Sequence, residues 1–258
     1  MAYNVEAYWS RVAEEIRRRG PRNYVAGNDD AFYRYKRAKF LRRFLSTLDV
    51  ARSTVFELGC GPGGNLLELN RRSPVALIGV DISTSMLDLA AQTLATATVP
   101  VQLRKTDGQH IPLEDQTADI AFTVTVLQHN VDPAMLSRVI SELCRVTIRQ
   151  IVIMEDTGTT LSVGSDAPCM ARPVDAYRDE FARHGFRLRS ATYLNLRVSR
   201  RAHEALWGWL VPSSHREGQP FGFVYRSLLM SALAVTRHLD EVWPDTQDLT
   251  KMVFARVG

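Results

Sequence analysis

VFELGCGPGG, at residues 55–64, is an apolar run of strand length that leads directly into a loop with four glycines. Glycine serves where the backbone must turn sharply or approach a ligand closely. A helix that starts just after such a loop points its free N–H groups at that ligand. The stretch therefore predicts a strand, a ligand-binding turn and a helix, in the arrangement that holds a nucleotide or nucleoside.

The composition of the chain is that of an ordinary globular protein. Its 258 residues are 45% hydrophobic and 23% charged, which suits one α/β domain with additions. Residues 1–20 are too polar for a signal peptide, and the longest apolar stretch is shorter than the roughly 20 residues that cross a bilayer. We therefore expect a cytoplasmic protein without a membrane span. Cys60, Cys144 and Cys169 lack metal-ligand spacing, so we expect neither a bound metal nor a disulfide framework.

Positive charge is concentrated in the first part of the chain. Residues 1–53 hold 12 Lys or Arg and 6 Asp or Glu, a net charge of +6, whereas the whole chain carries +4. Two interpretations remain open at this point. The excess is either the solvated surface of two helices or an electropositive approach for an anionic substrate or nucleic acid.

Hydrophobic periodicity predicts an alternation of strands and helices after two N-terminal helices at 3–19 and 32–48. The predicted strands lie at 55–58, 76–80, 101–105, 119–124 and 150–154, and the helices between them at 65–71, 85–95 and 133–145. Further along we expect a helix at 174–184, a strand at 187–196, helices at 201–210 and 221–239 and a last strand at 250–256. Strict alternation implies a mostly parallel sheet covered on both faces.

The same pattern predicts how the chain is divided. Residues 1–52 form an N-terminal helical segment that serves as a cap. Residues 53–258 form the main domain, with a helical insertion at about 197–247 before the last strand.

The glycine spacing alone leaves the ligand open. Gly59, Gly61 and Gly64 satisfy the dinucleotide fingerprint, and Asp81 ends the next strand where an acid would bind ribose, which would suggest an oxidoreductase. Glu57 lies inside the first strand, where a buried carboxylate needs a partner such as a cationic ligand group. An additional glycine at position 63 and a second acidic loop, 106–109, also depart from the dinucleotide pattern.

Three motifs in order carry a resemblance to a known family. They are Glu57-Leu-Gly-Cys-Gly-Pro-Gly63, Val80-Asp-Ile-Ser-x-x-Met86 and Asp107-Gly-x-x-Ile-Pro-Leu-x-Asp-x-x-Ala-Asp119. Together they resemble the class I S-adenosylmethionine-dependent methyltransferases, and within them the group that methylates quinone precursors and natural products. The resemblance covers about residues 53–196. It implies a Rossmann-like sheet with an antiparallel last strand, and S-adenosylmethionine as the cofactor. The turn that many members carry after the helix that follows the fourth strand is absent, since this chain reads Arg145-Val-Thr-Ile-Arg-Gln150.

The resemblance also implies roles for individual residues. Glu57 and the loop residues Gly59, Cys60, Gly61 and Gly63 would hold the methionine part of the cofactor. Asp81 would bind the ribose hydroxyls and Asp107 the adenine amino group, because a carboxylate accepts from both kinds of donor. The remaining cofactor candidates are Gly108 and Gln109 beside the ring, Ile82 and Met86 as apolar contacts, and Gln128 and Lys36. As alternatives, Asp81 is a helix cap and Asp107 forms a turn.

Methyl transfer to a hydroxyl or ammonium group also requires loss of a proton, so a general base is worth seeking. His129, just past the fourth predicted strand, is the first candidate, and a structural or cofactor-contacting role is the alternative. Asp156, at the end of the fifth strand, is the second, with a solvated loop acid as its alternative. Tyr24, Tyr33 and His215 are candidates for contacting the acceptor.

The sequence favours a small organic acceptor that is methylated on oxygen or nitrogen. We expect its pocket to be roofed by the N-terminal helices and the insertion. Pro168-Cys169 resembles the nucleophile of cytosine-ring methylation but follows the fifth strand, so we interpret it as a loop. Three other functions remain open: an RNA or nucleotide methyltransferase that uses the basic N-terminal region, a dinucleotide oxidoreductase, and a binder that keeps the fold without chemistry.

Overall fold

The computed structural model describes residues 4–19, 30–158, 161–163, 168–215, 219–243 and 249–258. Seven strands form one sheet in the order β3-β2-β1-β4-β5-β9-β8, and two further strands form a separate hairpin. The sheet strands are β1 (Thr54–Leu58), β2 (Ala76–Asp81), β3 (Val101–Lys105), β4 (Ala118–Val124), β5 (Thr147–Asp156), β8 (Phe186–Tyr193) and β9 (Leu249–Arg256). The hairpin pairs β6 (Leu161–Val163) with β7 (Pro168–Met170).

Helices connect the strands and cover both faces of the sheet. They are α1 (Val5–Arg19), α2 (Ala31–Arg43), α3 (Gly64–Asn70), α4 (Thr84–Thr93), α5 (Pro133–Val146), α6 (Val174–Arg183), α7 (Arg197–Leu210) and α8 (Phe223–Val242). Strands β1 to β5 pair in parallel, and β9 runs antiparallel to both β5 and β8. The predicted fold class is confirmed, and β1 lies at the point where the strand order reverses, which is where such sheets bind ligands.

Two hydrophobic cores lie on opposite faces of the sheet because successive side chains of a strand point to opposite sides. In β5, Ile151 and Ile153 belong to the core under α5 and α6, whereas Val152 and Met154 belong to the core under α2 and α8. All four are fully buried. This alternation fixes the register of the central strands.

The two N-terminal helices pack in different places. Helix α1 lies against α4, with Val12 and Ile16 buried beside Met86. Helix α2 packs against the insertion formed by α7 and α8. The side chain of Asp30 caps α2 by accepting from the N–H of Tyr33, and its Oδ2 contacts both His203 Nε2 at 3.0 Å and the Tyr225 hydroxyl at 3.1 Å.

A second buried carboxylate holds the insertion together. Asp240 of α8 accepts the backbone N–H groups of Val198 and Ser199 at the start of α7, and it accepts the hydroxyl of Tyr35 from α2. Polar contacts between buried groups therefore tie α2, α7 and α8 into one unit, which lies on the face of the sheet opposite α5 and α6.

The structure corrects two local predictions. Residues 168–169 are not a loop, because β7 pairs with β6 in antiparallel register. Strands of three residues are too short to show a hydrophobic period, so no sequence pattern indicates them. Strand β5 begins at Thr147, three residues before its predicted start, and follows α5 without an intervening loop.

Candidate functional site

A cavity of about 530 Å³ opens at the carboxyl ends of β1 to β4. Its walls are formed by the loops that follow these four strands, with α1 on the open side. Of the residues named from the sequence, the cavity is lined by Gly59, Gly61, Asp81, Ile82, Met86, Asp107, Gly108, Gln109 and His129. The structure therefore brings most of the expected cofactor residues together in one place.

The glycine loop follows β1 with its backbone facing the cavity. Gly59 has a φ of +70°, and a Cβ at this position would overlap the side chain of Val126. Gly61 has a φ of +50°, and the space that its Cβ would fill is open to 4 Å. The chain thus leaves room for a ligand against the backbone at Gly61, whereas Gly59 is required for contact with the loop after β4.

Glu57 is buried beneath this loop, on the side of α2 and α3. Its Oε1 accepts the side-chain amide of Asn65 at 2.6 Å, and the Oδ1 of Asn65 accepts the guanidinium of Arg37 at 2.6 Å. Its Oε2 is buried and has no hydrogen-bond partner among the described residues. Burial raises the pKa of Glu57 to about 8, although Asn65 and Arg37 favour the charged form. An orphaned buried carboxylate oxygen is what a cationic ligand group would satisfy.

Asp81 ends β2 and is almost fully buried at the cavity wall. Its Oδ2 accepts the N–H of Gly61, and its Oδ1 accepts the N–H of Ser83, each at 2.9 Å. Burial raises the pKa of Asp81, and the three backbone N–H groups of Ser83, Gly61 and Ile82 oppose this rise. Asp81 is not the cap of α4, since the Ser83 hydroxyl accepts from the N–H of Met86. Each oxygen of Asp81 retains a lone pair that can accept a ligand hydroxyl.

Asp107 follows β3 on the opposite wall and organises its own loop. Its Oδ1 accepts the N–H groups of Gln109 and His110, and its Oδ2 lies 3.0 Å from His110 Nδ1. The His110 side chain and these two N–H groups hold the pKa of Asp107 well below its usual range. The turn-forming interpretation of Asp107 therefore holds, and the same carboxylate lines the cavity as an ion.

The loop after β4, residues 125–131, forms the wall nearest the glycine loop and is held from two sides. Glu155, fully buried at the end of β5, accepts the N–H groups of Val126, Leu127 and Gln128, each at 3.1 Å. Arg172, which follows the hairpin, donates to the carbonyl oxygens of residues 127, 130 and 131. Burial raises the pKa of Glu155 to about 8, whereas the three N–H donors favour its charged form.

His129 lies on this clamped loop and lines the cavity. Its Nδ1 is 3.2 Å from the carbonyl oxygen of Pro168 in β7, and its ring meets the edge of the Trp9 ring at a centroid distance of 5.5 Å. A carbonyl only accepts, so the neutral ring carries its proton on Nδ1 and has its lone pair on Nε2. His129 therefore has the tautomer of a potential base.

Several other predicted site residues lie outside the cavity wall. Cys60 is buried under the loop, and Gly63 caps α3 with a φ of +82°. Gln128 accepts the N–H of Asp156 through its Oε1, and Asp156 lies 3.7 Å from Arg200. Lys36 is half-buried on α2. Their assigned roles stay predictions.

Two acceptor candidates lie in the aromatic cluster between α2 and the insertion. Tyr33 contacts the rings of Phe32 and His203, and His215 stacks on Phe221. Burial lowers the pKa of His215. Neither residue lines the cavity, and Tyr24 falls outside the described residues.

Sequence reasoning missed four residues that build the site. Asn65 and Arg37 complete the contacts of Glu57, and Val5 and Trp9 of α1 cover the cavity. In the sequence, Trp9 is one apolar residue of the predicted helix at 3–19, and Arg37 is one of the 12 cations in residues 1–53. No local pattern distinguishes either from its neighbours, since both acquire their roles through contacts distant in sequence.

The fold and this glycine loop are similar to those of the class I S-adenosylmethionine-dependent methyltransferases. Residues 55–149 match the family described as a methyltransferase domain. An uncharacterized 37.1 kDa protein in transposon TN4556 of Streptomyces fradiae is 37% identical over 108 residues, covering 35% of this chain and 31% of that protein. The match thus spans about a third of that relative's length.

Solved structures share the fold along most of the chain. The [4+2]-cyclase SpnF superposes with a TM-score of 0.64 at 17% identity, covering 98% of this chain and 96% of its own. The magnesium protoporphyrin IX methyltransferase ChlM of Synechocystis PCC 6803, solved with bound S-adenosylhomocysteine, gives a TM-score of 0.58 at 18% identity, covering 73% and 90%. The chain therefore has the class I fold around a methyltransferase domain, and S-adenosylmethionine is the cofactor of this class.

Two further observations concern metal binding and membrane insertion. Within the described ranges, no three His, Cys, Asp or Glu side chains are grouped so that they could hold a metal ion. Helices of sufficient length and apolar character to cross a bilayer are also absent from this part of the chain.

Proposed function

We propose that the protein transfers a methyl group from S-adenosylmethionine to an oxygen or nitrogen atom of a small, largely apolar acceptor. The observation that carries this proposal is a cavity at the carboxyl ends of β1 to β4 that is lined by Gly59, Gly61, Asp81 and Asp107, with Glu57 of β1 buried beneath the glycine loop. The cofactor presents donors with a matching chemistry: an ammonium group, two ribose hydroxyls and an adenine amino group.

The residues present fit the cofactor. Glu57 provides an unsatisfied buried oxygen for the ammonium group, and Gly61 provides open backbone beside it. Asp81 would accept the ribose hydroxyls, and Asp107 would face the adenine with Gly108 and Gln109. Ile82 and Met86 supply apolar surface on the same wall. When bound, the cofactor supplies a methyl group already activated by a sulfonium, so the protein mainly aligns the acceptor.

The charge of the cavity wall limits the chemical class of the acceptor. The described residues that line the cavity include the acids Asp81, Asp107 and Asp132 and two histidines, but no lysine or arginine. Asp81 and Asp107 are assigned to the cofactor, so Asp132 is the remaining acid of the wall and would repel an anionic acceptor group near it. We therefore infer a neutral or cationic acceptor, whose apolar body packs against Trp9, Val126 and Val131.

His129 is the residue we assign to proton removal. Its Nδ1 donates to Pro168, which orients the ring, and we assign Nε2 to accept the proton of the acceptor hydroxyl or ammonium. The clamp formed by Glu155 and Arg172 holds the loop that carries His129. Asp156 is less suited to this role, because it does not line the cavity.

Two alternatives share the fold. SpnF is a [4+2]-cyclase, so the fold by itself does not determine methyl transfer. The spacing of Gly59, Gly61 and Gly64 also fits a loop that binds a nicotinamide dinucleotide. Such a cofactor has no ammonium group that could pair with the unsatisfied oxygen of Glu57.

Calorimetric titration with S-adenosylmethionine, S-adenosylhomocysteine, NAD(H) and NADP(H) tests the proposal first. Binding of the sulfonium cofactor and its product alone supports it, and binding of nicotinamides alone overturns it. A screen of neutral and amine acceptors with methyl-labelled cofactor follows. Tight cofactor binding without labelled product across this screen would favour a non-methylating role.

A further inference from the structure

The outer side of α8 carries an unusual concentration of exposed apolar side chains. The helix buries Tyr225, Leu229, Leu233 and Asp240 on the side facing the core. On the other sides the exposed fractions are 83% for Phe223, 60% for Val224, 45% for Leu228, 61% for Met230, 61% for Val235 and 67% for Val242. We call these six residues, with the small residues between them, the α8 face.

The α8 face has the shape of a helix-packing surface. Ser227, Ser231 and Ala234 follow each other at i, i+4 and i+7, so they lie in one row along the helix. Val224, Leu228 and Val235 form a ridge on one side of this row, and Phe223 and Met230 form a ridge on the other. A row of small residues beside an apolar ridge lets a second helix approach closely and pack against that ridge.

The exposed area is large enough for a stable dimer. With whole-residue areas of roughly 150–200 Å², the six apolar residues expose about 650 Å². The largest apolar patch on a typical monomer covers about 300–600 Å², and a stable interface buries about 800 Å² on each partner. The α8 face therefore provides most of the surface that such an interface requires.

The α8 face is also self-complementary. When two copies of α8 run antiparallel about a twofold axis at Ser231, the ridge residue Leu228 of each copy meets Val235 of the other, and Ser227 meets Ala234. Each apolar ridge thus packs against the same ridge of the other copy, the small residues allow close approach, and Ser231 meets itself. A twofold axis requires one surface to fit itself in this manner.

We propose that two copies of this chain associate through antiparallel packing of their α8 faces. The inference is independent of the methyl-transfer proposal, because α7 and α8 contribute no residue to the lining of the cavity within the described ranges. The proposed occupant is a second copy rather than a lipid surface, since the Leu228–Val235 ridge pairs with itself about a twofold axis.

Light scattering coupled to gel filtration and sedimentation velocity test the proposal over a range of micromolar concentrations. We expect a dimer for the unaltered protein. Leu228→Glu and Val235→Glu should each raise the dimer dissociation constant by roughly 100-fold or more, because dimerisation would bury an unpaired carboxylate. Val75→Glu is the matched control, since Val75 is 57% exposed in the connection before β2, and it should remain dimeric.

A cysteine at position 231 tests the axis directly. In a Cys169→Ser background, Ser231→Cys should form a covalent dimer on mild oxidation, because the two sulfur atoms meet at the axis. Val75→Cys in the same background should not. A monomer at every concentration overturns the proposal, as does a Leu228→Glu variant that stays dimeric. Binding of a monomer to anionic phospholipid vesicles, lost in Leu228→Glu, would also overturn it by assigning the face to a membrane surface.

Discussion

Glu57 combines deep burial with one unsatisfied oxygen. With its pKa near 8, this carboxyl is mostly protonated at pH 7 in the ligand-free protein. A bound ammonium group would favour the charged form, so binding and deprotonation of Glu57 are coupled. The side chain therefore links the pH dependence of folding to that of cofactor binding.

We predict that S-adenosylhomocysteine binding at pH 7 releases roughly one proton from Glu57. Calorimetry in two buffers with different ionisation enthalpies measures the release as a difference in observed heat. In Glu57→Gln the release should disappear and the affinity should fall, because the amide provides no negative charge. Identical heats in both buffers for the unaltered protein would contradict the prediction.

The same group should make the ligand-free protein less stable at alkaline pH. Glu57 ionises near pH 4.5 in the unfolded chain and near pH 8 in the folded protein, so between these values the folded state holds the extra proton. Each rise in pH across this window then favours unfolding, by up to about 1.4 kcal/mol per unit. Glu57→Gln should raise the melting temperature more at pH 8 than at pH 5. An equal effect at both pH values would argue against the raised pKa.

Asp81 is expected to be important for the cofactor rather than for the fold. We predict that Asp81→Asn weakens S-adenosylhomocysteine binding by about tenfold or more, because the amide accepts through only one oxygen. Asp88→Asn, an exposed change on α4, is the control. Unchanged affinity in Asp81→Asn, with normal circular dichroism, would remove Asp81 from the ribose site.

Among the elements, the loop at residues 125–131 has the most defined environment. Glu155 takes three of its N–H groups, Arg172 donates to three of its carbonyl oxygens, and β7 contacts His129. The small hairpin of β6 and β7 therefore extends the wall of the site although it is separate from the main sheet. Glu155 thus positions the loop and does not itself line the cavity.

We predict that Glu155→Leu destabilises the protein by about 3 kcal/mol or more, since it leaves three N–H groups without an acceptor. Urea denaturation measures this change, and Asp156→Asn provides the neighbouring control with a small effect. Glu155→Gln should lie between them, because its amide retains one acceptor oxygen. A leucine variant as stable as the unaltered protein would show that the loop does not depend on this carboxylate.

At the scale of the whole molecule, several cations of the basic N-terminal region form ion pairs within the chain. Arg17 pairs with Glu14, and Arg18 pairs with Glu15. Lys39 is buried, where its Nζ is 2.9 Å from Glu241. Only the last of these pairs offsets the charge excess of residues 1–53, because Glu14 and Glu15 belong to that region, and the cavity wall carries acids.

We therefore predict that the protein shows no salt-sensitive retention on RNA. Affinity co-electrophoresis on RNA at roughly 50 and 200 mM salt measures the retention, because phosphate contacts weaken steeply as the salt concentration rises. An Arg17→Gln/Arg18→Gln/Lys36→Gln variant should behave as the unaltered protein does. Retention that falls with salt and with these changes would restore the RNA interpretation.

The sequence predicts the position of a residue best where a local pattern determines it. The positions of Glu57, Asp81 and Asp107 on the sheet could be predicted because each lies within a strand or within two residues of its end, and parallel strands bring their ends to one edge. The positions of Tyr33 and His215 in the aromatic cluster could not, because they depend on how α2 meets the insertion. Contacts between distant segments produce no hydrophobic periodicity in the sequence.

The junction between α5 and β5 has a consequence for how this chain can vary. Val146 ends the helix and Thr147 begins the strand, so no loop residue lies between them that could absorb an insertion. One inserted residue would turn β5 over, sending Ile151 and Ile153 toward the insertion side and Val152 and Met154 toward α5. The number of residues at this junction therefore determines which face of the sheet each β5 side chain meets. Homologues and engineered libraries should therefore tolerate altered residues at 146–147 far better than an altered number of them.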